Sequence, residues 1–97
     1  MEIVVPHNHT PEEVRVKVQH AIAGIKRDFG HEISEETEEW NGNECRFSFR
    51  ARGYKLSGIG HILPSQVLLK LKLPLIAYPF KSKIRSVVQQ HLGNVLK

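Results

Sequence analysis

The second half of this sequence has no acidic residue. All ten aspartates and glutamates lie between Glu2 and Glu44, whereas ten of the fourteen lysines and arginines follow Glu44. The first 44 residues therefore carry a formal charge of −6 and the remaining 53 carry +10, within a net charge of only +4. A segment without carboxylates holds no pair of acids for general acid–base catalysis. We expect an anionic partner to contact the basic half of the chain.

Cysteine and long apolar runs are also scarce. The single cysteine, Cys45, excludes an internal disulfide. The longest apolar stretch, Leu73 to Phe80, contains two prolines and is far shorter than the ~20 residues that cross a bilayer. The segment from Met1 to Pro6 has neither the basic region nor the apolar core of a signal peptide. We therefore expect a soluble, cytoplasmic protein without a transmembrane segment.

The length predicts one domain that spans residues 1–97. A chain of this size buries only about 60–65% of its unfolded surface, which leaves no room for a separate catalytic lobe. The apolar and charged fractions, 40% and 25%, are typical of globular proteins. We expect a small binding domain and no enzyme activity.

Two segments show the periodicity of helices. The first starts at Thr10-Pro11-Glu12-Glu13, where an N-cap hydroxyl, a proline and a third-position carboxylate form a capping box. Gly30 follows the apolar stripe of this helix, and we expect it to end the helix in a left-handed conformation. The second helix is predicted to start at Pro79. Its apolar stripe is Phe80, Ile84, Val87, Val88, His91, Leu92 and Val95.

Alternation and turn residues predict five strands, in residues 2–5, 33–40, 45–52, 54–62 and 66–73. The turn Asn41-Gly42-Asn43 joins the second strand to the third. A three-residue loop sets Glu38 opposite Arg46, whereas a loop of two or four residues turns the glutamate row inward. We favour the register that pairs these charges. In the fourth strand, Gly58 and Gly60 indicate a bulge, strong curvature or a close neighbour.

The predicted element order is β-α-β-β-β-β-α. Both helices have a single apolar stripe and the strands have one apolar face, so the predicted fold is an α+β two-layer sandwich. Its sheet is mainly antiparallel and curved, and both helices pack on one face. The other face is left open to solvent.

Two groups of basic side chains are the candidate partner-binding residues. The first group is predicted to lie on the open sheet face: Arg46, Arg50, Arg52, Lys55, Lys70 and Lys72. The second group lies at the start of the second helix: Lys81, Lys83 and Arg85. The second group lies beside an apolar stripe, and this combination is also suitable for binding an anionic surface.

The basic face leaves alternative functions open. Nucleic acid is a possible partner, so an RNA- or ribosome-associated factor is the alternative. Beyond phenylalanine, however, the only aromatic candidates for stacking are Trp40, Tyr54 and Tyr78. A small-molecule carrier would require a cavity between the second helix and the sheet near Gly58 and Gly60.

No set of residues predicts a metal, cofactor or catalytic site. His7 and His9 lack the further ligands of a closed metal site. Cys45 alternates with phenylalanines and is expected to be buried and inert. His91 is expected at the core boundary. The glutamates of residues 35–39 are split between two strand faces, which disfavours paired acid–base chemistry.

Four motifs are spread over nearly the whole chain. They are His9-Thr10 before an acidic helix start, Trp40 ahead of a glycine turn, Ser57-Gly58 within a strand, and Leu73-Pro74-Leu75 leading to Pro79-Phe80-Lys81. The last is the most distinctive. In these motifs the chain resembles the family of polyhydroxyalkanoic acid system proteins, also called granule-region proteins, which occur with polyester storage genes in bacteria.

The resemblance implies a cytoplasmic accessory protein linked to polyhydroxyalkanoate metabolism or granule surfaces, with no catalytic residues to transfer. Together with the charge distribution, it predicts a noncatalytic interaction module. Its basic residues are expected to bind an anionic granule surface or an acidic protein partner.

Overall fold

A computed structural model of residues 1–97 confirms the predicted α+β fold and its element order. The five strands are β1 (Glu2–Pro6), β2 (Ile33–Asn41), β3 (Glu44–Ala51), β4 (Tyr54–Ile62) and β5 (Gln66–Lys72). Helix α1 (Pro11–Phe29) follows β1, and helix α2 (Lys81–Leu96) follows a 3₁₀ helix (Leu75–Phe80) after β5. No helix combines the length and the apolar character needed to span a membrane.

All neighbouring strands are antiparallel, in the order β1-β5-β4-β3-β2, so β1 and β2 are the sheet edges. The core lies between the helices and the β1–β5–β4 part of the sheet. It consists of Ile3, Val5, Val14, Ala21, Ile62, Val67, Leu69, Leu71, Leu92 and Leu96. Neither β2 nor β3 contributes to this set, although Trp40 and Phe47 pack against it while only partly buried. The β2–β3 hairpin therefore lies at the margin of the helical layer.

The predicted N-cap of α1 is confirmed, but the capping box is incomplete, because the Glu13 carboxylate bonds the Thr10 hydroxyl and not the Thr10 backbone N–H. The Thr10 hydroxyl oxygen accepts a hydrogen bond from the Glu13 N–H at 3.3 Å, and the hydroxyl donates to the Glu13 carboxylate at 3.0 Å. The predicted helix end is wrong in conformation, because Gly30 has a right-handed φ of −58°. A Cβ at Gly30 would lie 2.5 Å from the Lys26 carbonyl oxygen. Close approach, and not a left-handed backbone, favours glycine there.

The predicted hairpin register is wrong by one residue. Asn41 pairs with Glu44, so the β2–β3 loop has two residues, and Glu39 instead of Glu38 lies opposite Arg46. Gly42, the first loop residue, has a φ of +62°. A two-residue hairpin turn needs a positive φ at this position, which explains why the turn closes on Gly42.

At Gly58, the structure supports the predicted close neighbour. A Cβ there would lie within 3 Å of both adjacent strands, 2.6 Å from Phe47 Cζ and 2.7 Å from the Lys70 carbonyl oxygen. At Gly60 the nearest atom would be 3.8 Å away, which is an ordinary contact. Only Gly58 therefore needs to lack a side chain for reasons of space.

Candidate functional site

The sheet register brings together five of the six basic residues predicted for the open face. They are Arg46, Arg50, Lys55, Lys70 and Lys72. Lys55 pairs directly with Arg50, and Lys70 lies in the same cross-strand row as Arg46. The residues that alternate with Lys70 and Lys72 on β5 are buried under the helices. Because side chains alternate along a strand, the five basic residues share the opposite face.

Arg52 does not belong to this face, contrary to the prediction. It lies in the β3–β4 turn with a φ of 52°, so it no longer follows the alternation of β3. Its guanidinium donates a hydrogen bond to the Glu32 carboxylate at 2.7 Å. This hydrogen bond lowers the pKa of Glu32 and raises the pKa of Arg52. Arg52 therefore links the turn to the segment before β2.

The two arginines of the open face are paired with glutamates of their own chain. Arg50 Nε lies 2.7 Å from the Glu35 carboxylate, and Arg46 Nε lies 3.8 Å from the Glu44 carboxylate. A β-bulge in β2 accompanies the first pair, since the register shifts at Glu35, which has a φ of 53°. These arginines therefore offer less free charge than their number in the sequence suggests.

Most of the free positive charge belongs to lysines, because Arg85 is the only arginine of the predicted groups without a carboxylate partner. No lysine of the protein has a carboxylate oxygen within 4.0 Å. Five of them come from the predicted groups and are exposed, and we call them the free lysines: Lys55, Lys70, Lys72, Lys81 and Lys83. A lysine ammonium on a flexible stem remains available to an external anion when no internal partner holds it.

The free lysines lie towards one end of the molecule. The antiparallel register sets the start of β4 beside the end of β5, and the 3₁₀ helix and the start of α2 follow β5 directly. Arg85 connects α2 to the sheet edge, because its Nη1 donates to the Glu2 carbonyl oxygen at 3.0 Å. Glu2 in turn pairs with Lys70. The two groups of basic residues predicted separately therefore meet at this end, which we call the lysine end.

The 3₁₀ helix exposes four large apolar side chains at the lysine end. Leu75 is 81% exposed, Ile76 59%, Tyr78 49% and Phe80 51%, and we call these four residues the apolar segment. Helix α2 begins at Lys81 instead of Pro79, so the prediction that Phe80 joins its buried stripe is wrong. Phe80 has φ −97° and ψ 7°, which takes it out of the helical phase of α2.

Comparison with protein families matches residues 1–96 to the family described as "putative polyhydroxyalkanoic acid system protein". The chain belongs to this family. The match covers nearly the whole chain and confirms the resemblance predicted from the motifs. The most distinctive of those motifs, Leu73-Pro74-Leu75 to Pro79-Phe80-Lys81, contains the apolar segment. No curated protein and no solved structure significantly matches the chain.

His7 and His9 connect the start of the chain to the β4–β5 turn and to the end of α2, respectively. His7 Nδ1 accepts from the His9 N–H at 3.1 Å, so Nε2 carries the proton and donates to the Leu63 carbonyl at 2.8 Å. His9 Nε2 lies 3.3 Å from the carbonyl oxygens of Leu96 and Lys97 at the end of α2. No group of three or more His, Cys, Asp or Glu side chains is arranged to hold a metal ion.

The surroundings of Cys45 and His91 indicate that both residues have structural roles. Burial, and secondarily the charge of Glu38, raises the pKa of the Cys45 thiol to about 11, which keeps the thiol protonated. His91 Nε2 lies 3.4 Å from the Asp28 carboxylate, and the pair connects α2 to α1. This pair lines an open cleft between the two helices. The cleft does not include the glycines of β4, where a small-molecule carrier was predicted to need its cavity.

Proposed function

We propose that this protein is a noncatalytic, cytoplasmic accessory protein that attaches to the anionic surface of polyester granules or to an acidic protein in their coat. The observation that carries this proposal is the set of five free lysines at one end of the molecule. The family match supports the polyester context. Clustered charge of one sign attracts an oppositely charged surface and accelerates association with it.

The acidic residues favour one orientation on such a surface. The edge strand β2 carries Glu35, Glu36, Glu38 and Glu39, and only the first of these forms a salt bridge with an arginine. Two strands, β3 and β4, separate β2 from β5. An anionic surface attracts the lysine end and repels the β2 edge, because interactions between charges fall with distance and are screened by salt. We therefore expect the lysine end to face the granule.

Pairwise removal of lysine charges tests this proposal. Each lysine near an anionic surface contributes about 1 kcal/mol to binding, so replacing both Lys81 and Lys83 with glutamine should weaken granule binding about 10- to 30-fold. The variant Lys70→Gln/Lys72→Gln should show a similar loss. The measurement is cosedimentation with isolated polyester granules over a salt series. Binding of the wild-type protein should weaken as the salt concentration rises.

The matched control is Lys17→Gln/Lys97→Gln, which removes the same net charge elsewhere. Lys97 follows the C-terminal end of α2, and Lys17 lies in the first half of α1. We expect this variant to bind granules nearly as well as the wild type. Equal losses in the test and control variants, or binding that is indifferent to salt, would contradict the proposal.

RNA binding is the alternative function, and the sheet favours it less. The aromatic residues of the sheet all alternate towards the helices, because Trp40, Phe47, Phe49 and Tyr54 share the side of buried Cys45. The open face therefore presents lysines without a platform on which bases could stack. RNA added to the granule assay separates the two functions. If the protein binds RNA as tightly as it binds granules, and if Arg50→Glu weakens the binding to RNA, RNA binding is the favoured function.

A further inference from the structure

We propose that the apolar segment inserts between the headgroups of an anionic phospholipid layer while the neighbouring lysines contact those headgroups. This inference rests on the proposed attachment through the lysine end, and it names the chemistry of the surface. The free lysines by themselves require only an anionic partner. The exposed Leu75, Ile76, Tyr78 and Phe80 add a requirement for an apolar layer directly beneath it.

The backbone holds these side chains outward. Ala77, in the middle of the segment, is buried, and its N–H donates to the Pro74 carbonyl at 2.9 Å. Pro74 and Pro79 restrict the backbone at both ends of the turn, because the proline ring fixes φ. With Ala77 anchored, the larger neighbours Ile76 and Tyr78 remain at the surface. The segment therefore presents its apolar side chains without first having to unfold.

The charges around the segment match a lipid headgroup layer. Lys72 precedes the segment, Lys81 and Lys83 follow it, and residues 45–97 contain no Asp or Glu. Two acidic residues from the first half of the chain also lie at this end: Glu2 pairs with Lys70, and Glu32 is held by Arg52, with the charge of Lys83 contributing to its lowered pKa. Lys81 Nζ lies 5.0 Å from the centre of the Tyr78 ring, so a cation and an amphipathic aromatic lie side by side. Apolar side chains flanked by lysines are the pattern of segments that lie in a membrane interface. Tyrosine is itself enriched at that depth.

A second copy of the chain fits this surface less well. Self-association through the apolar segment would bring Lys81 and Lys83 close to the same lysines of the other copy, and these like charges repel one another. Four exposed side chains are also few, since a stable protein interface usually uses roughly 20–30 residues on each side. An anionic lipid layer supplies both the counter-charge and the apolar environment.

Vesicle binding tests the inference. The probes are vesicles of phosphatidylcholine mixed with phosphatidylglycerol, and vesicles of phosphatidylcholine alone. The wild type should bind the mixed vesicles more tightly, and the variant Leu75→Asn/Ile76→Asn should bind them at least about tenfold more weakly than the wild type. The control is Val16→Asn on α1, because Val16 is 51% exposed and lies outside the apolar segment. This control should bind like the wild type.

Insertion depth gives a second, independent measurement. The variant Leu75→Trp places a fluorophore in the apolar segment, whereas the native Trp40 lies on β2. In mixed vesicles with brominated acyl chains, the emission of Leu75→Trp should be quenched, and that of the wild type should not. Because Leu75 and Ile76 are largely exposed, neither Leu75→Trp nor Leu75→Asn/Ile76→Asn should alter the circular dichroism spectrum or the urea midpoint.

The outcomes separate this inference from the proposed function. If Leu75→Asn/Ile76→Asn binds mixed vesicles like the wild type, or if the emission of the Leu75→Trp variant is not quenched, insertion is overturned. Salt-sensitive binding to granules would still support the proposed function in that case. The wild type could instead associate with itself and not bind vesicles. If Leu75→Asn/Ile76→Asn abolishes that self-association, the segment binds a second copy of the chain, and insertion is also overturned. Vesicle binding without granule binding would support insertion and contradict the granule as the target.

Discussion

Replacing Gly58 with alanine should destabilise the protein, because β3 and β5 both approach β4 closely at this residue. The new Cβ would lie 2.6 Å from Phe47 Cζ and 2.7 Å from the Lys70 carbonyl oxygen. Carbon atoms in contact normally stay about 3.5–4.0 Å apart, so the Phe47 ring would have to move by about 1 Å. The ring has some freedom to do so. The Lys70 carbonyl belongs to the backbone of β5, and relieving that contact requires the sheet itself to shift.

The expected loss follows from this geometry. Overpacking of this kind costs about 1–3 kcal/mol, whereas a glycine-to-alanine change in an unstrained position stabilises by about 0.4–1 kcal/mol. Gly60 supplies the matched control, since it lies on the same strand and face and a Cβ there meets nothing closer than 3.8 Å. We therefore expect Gly58→Ala to be less stable than the wild type and Gly60→Ala to be as stable or slightly more stable.

Urea unfolding followed by circular dichroism measures both variants. The slope of the free energy against urea should stay the same, so that the shift in midpoint reports stability. Equal midpoints for Gly58→Ala and Gly60→Ala would show that the contacts with Phe47 and Lys70 do not limit the space at Gly58.

Three further predictions concern the N-cap of α1 and the thiol of Cys45. Thr10→Ala removes the N-cap of α1 and should cost about 1 kcal/mol in the urea assay, and an unchanged midpoint would contradict the stabilising role of this N-cap. The pKa of Cys45 is raised to about 11, so the stability from its neutral thiol is fully present below the ordinary thiol pKa of about 8.5 and is lost as the pH rises through 11. Unfolding free energy should therefore fall more steeply between about pH 9 and 11 in the wild type than in Cys45→Ala. Iodoacetamide at neutral pH should modify Cys45 only after unfolding, and rapid modification of the folded protein would contradict its burial.

Local signals predicted the helices and strands, and they predicted the two faces of β3, β4 and β5 apart from Arg52. The N-cap of α1 depends on Thr10 and Glu13, which are three residues apart and can be read directly from the sequence. Alternation in β3, β4 and β5 likewise placed Arg50, Lys55 and Lys70 on the open face without knowledge of the strand order. Both signals are short-range, and the tertiary structure did not alter them.

Longer-range features were not visible in the same way. The hairpin register depended on whether the turn used two or three residues, and Asn41-Gly42-Asn43 is compatible with either. The bulge at Glu35 has no sequence signal, because glutamate rarely adopts a positive φ. The salt bridge between Glu35 and Arg50, which neutralises part of the basic face, was therefore not predicted. The sequence showed how much charge lies on the sheet but not how much of it is free.

The apolar segment depends on both the short-range sequence pattern and the tertiary structure. Its spacing suggested that Phe80 extends the stripe of α2, but Leu75–Phe80 form a 3₁₀ helix and α2 begins only at Lys81. Full burial of one such side chain would contribute about 1.5–3 kcal/mol, and this stabilisation is not realised for the exposed Leu75 and Ile76 in the isolated protein. Stability of the fold therefore does not account for apolar residues at these positions. Their place beside Lys72, Lys81 and Lys83, where the structure leaves its positive charge unpaired, makes an external surface with both anionic and apolar layers the simplest explanation.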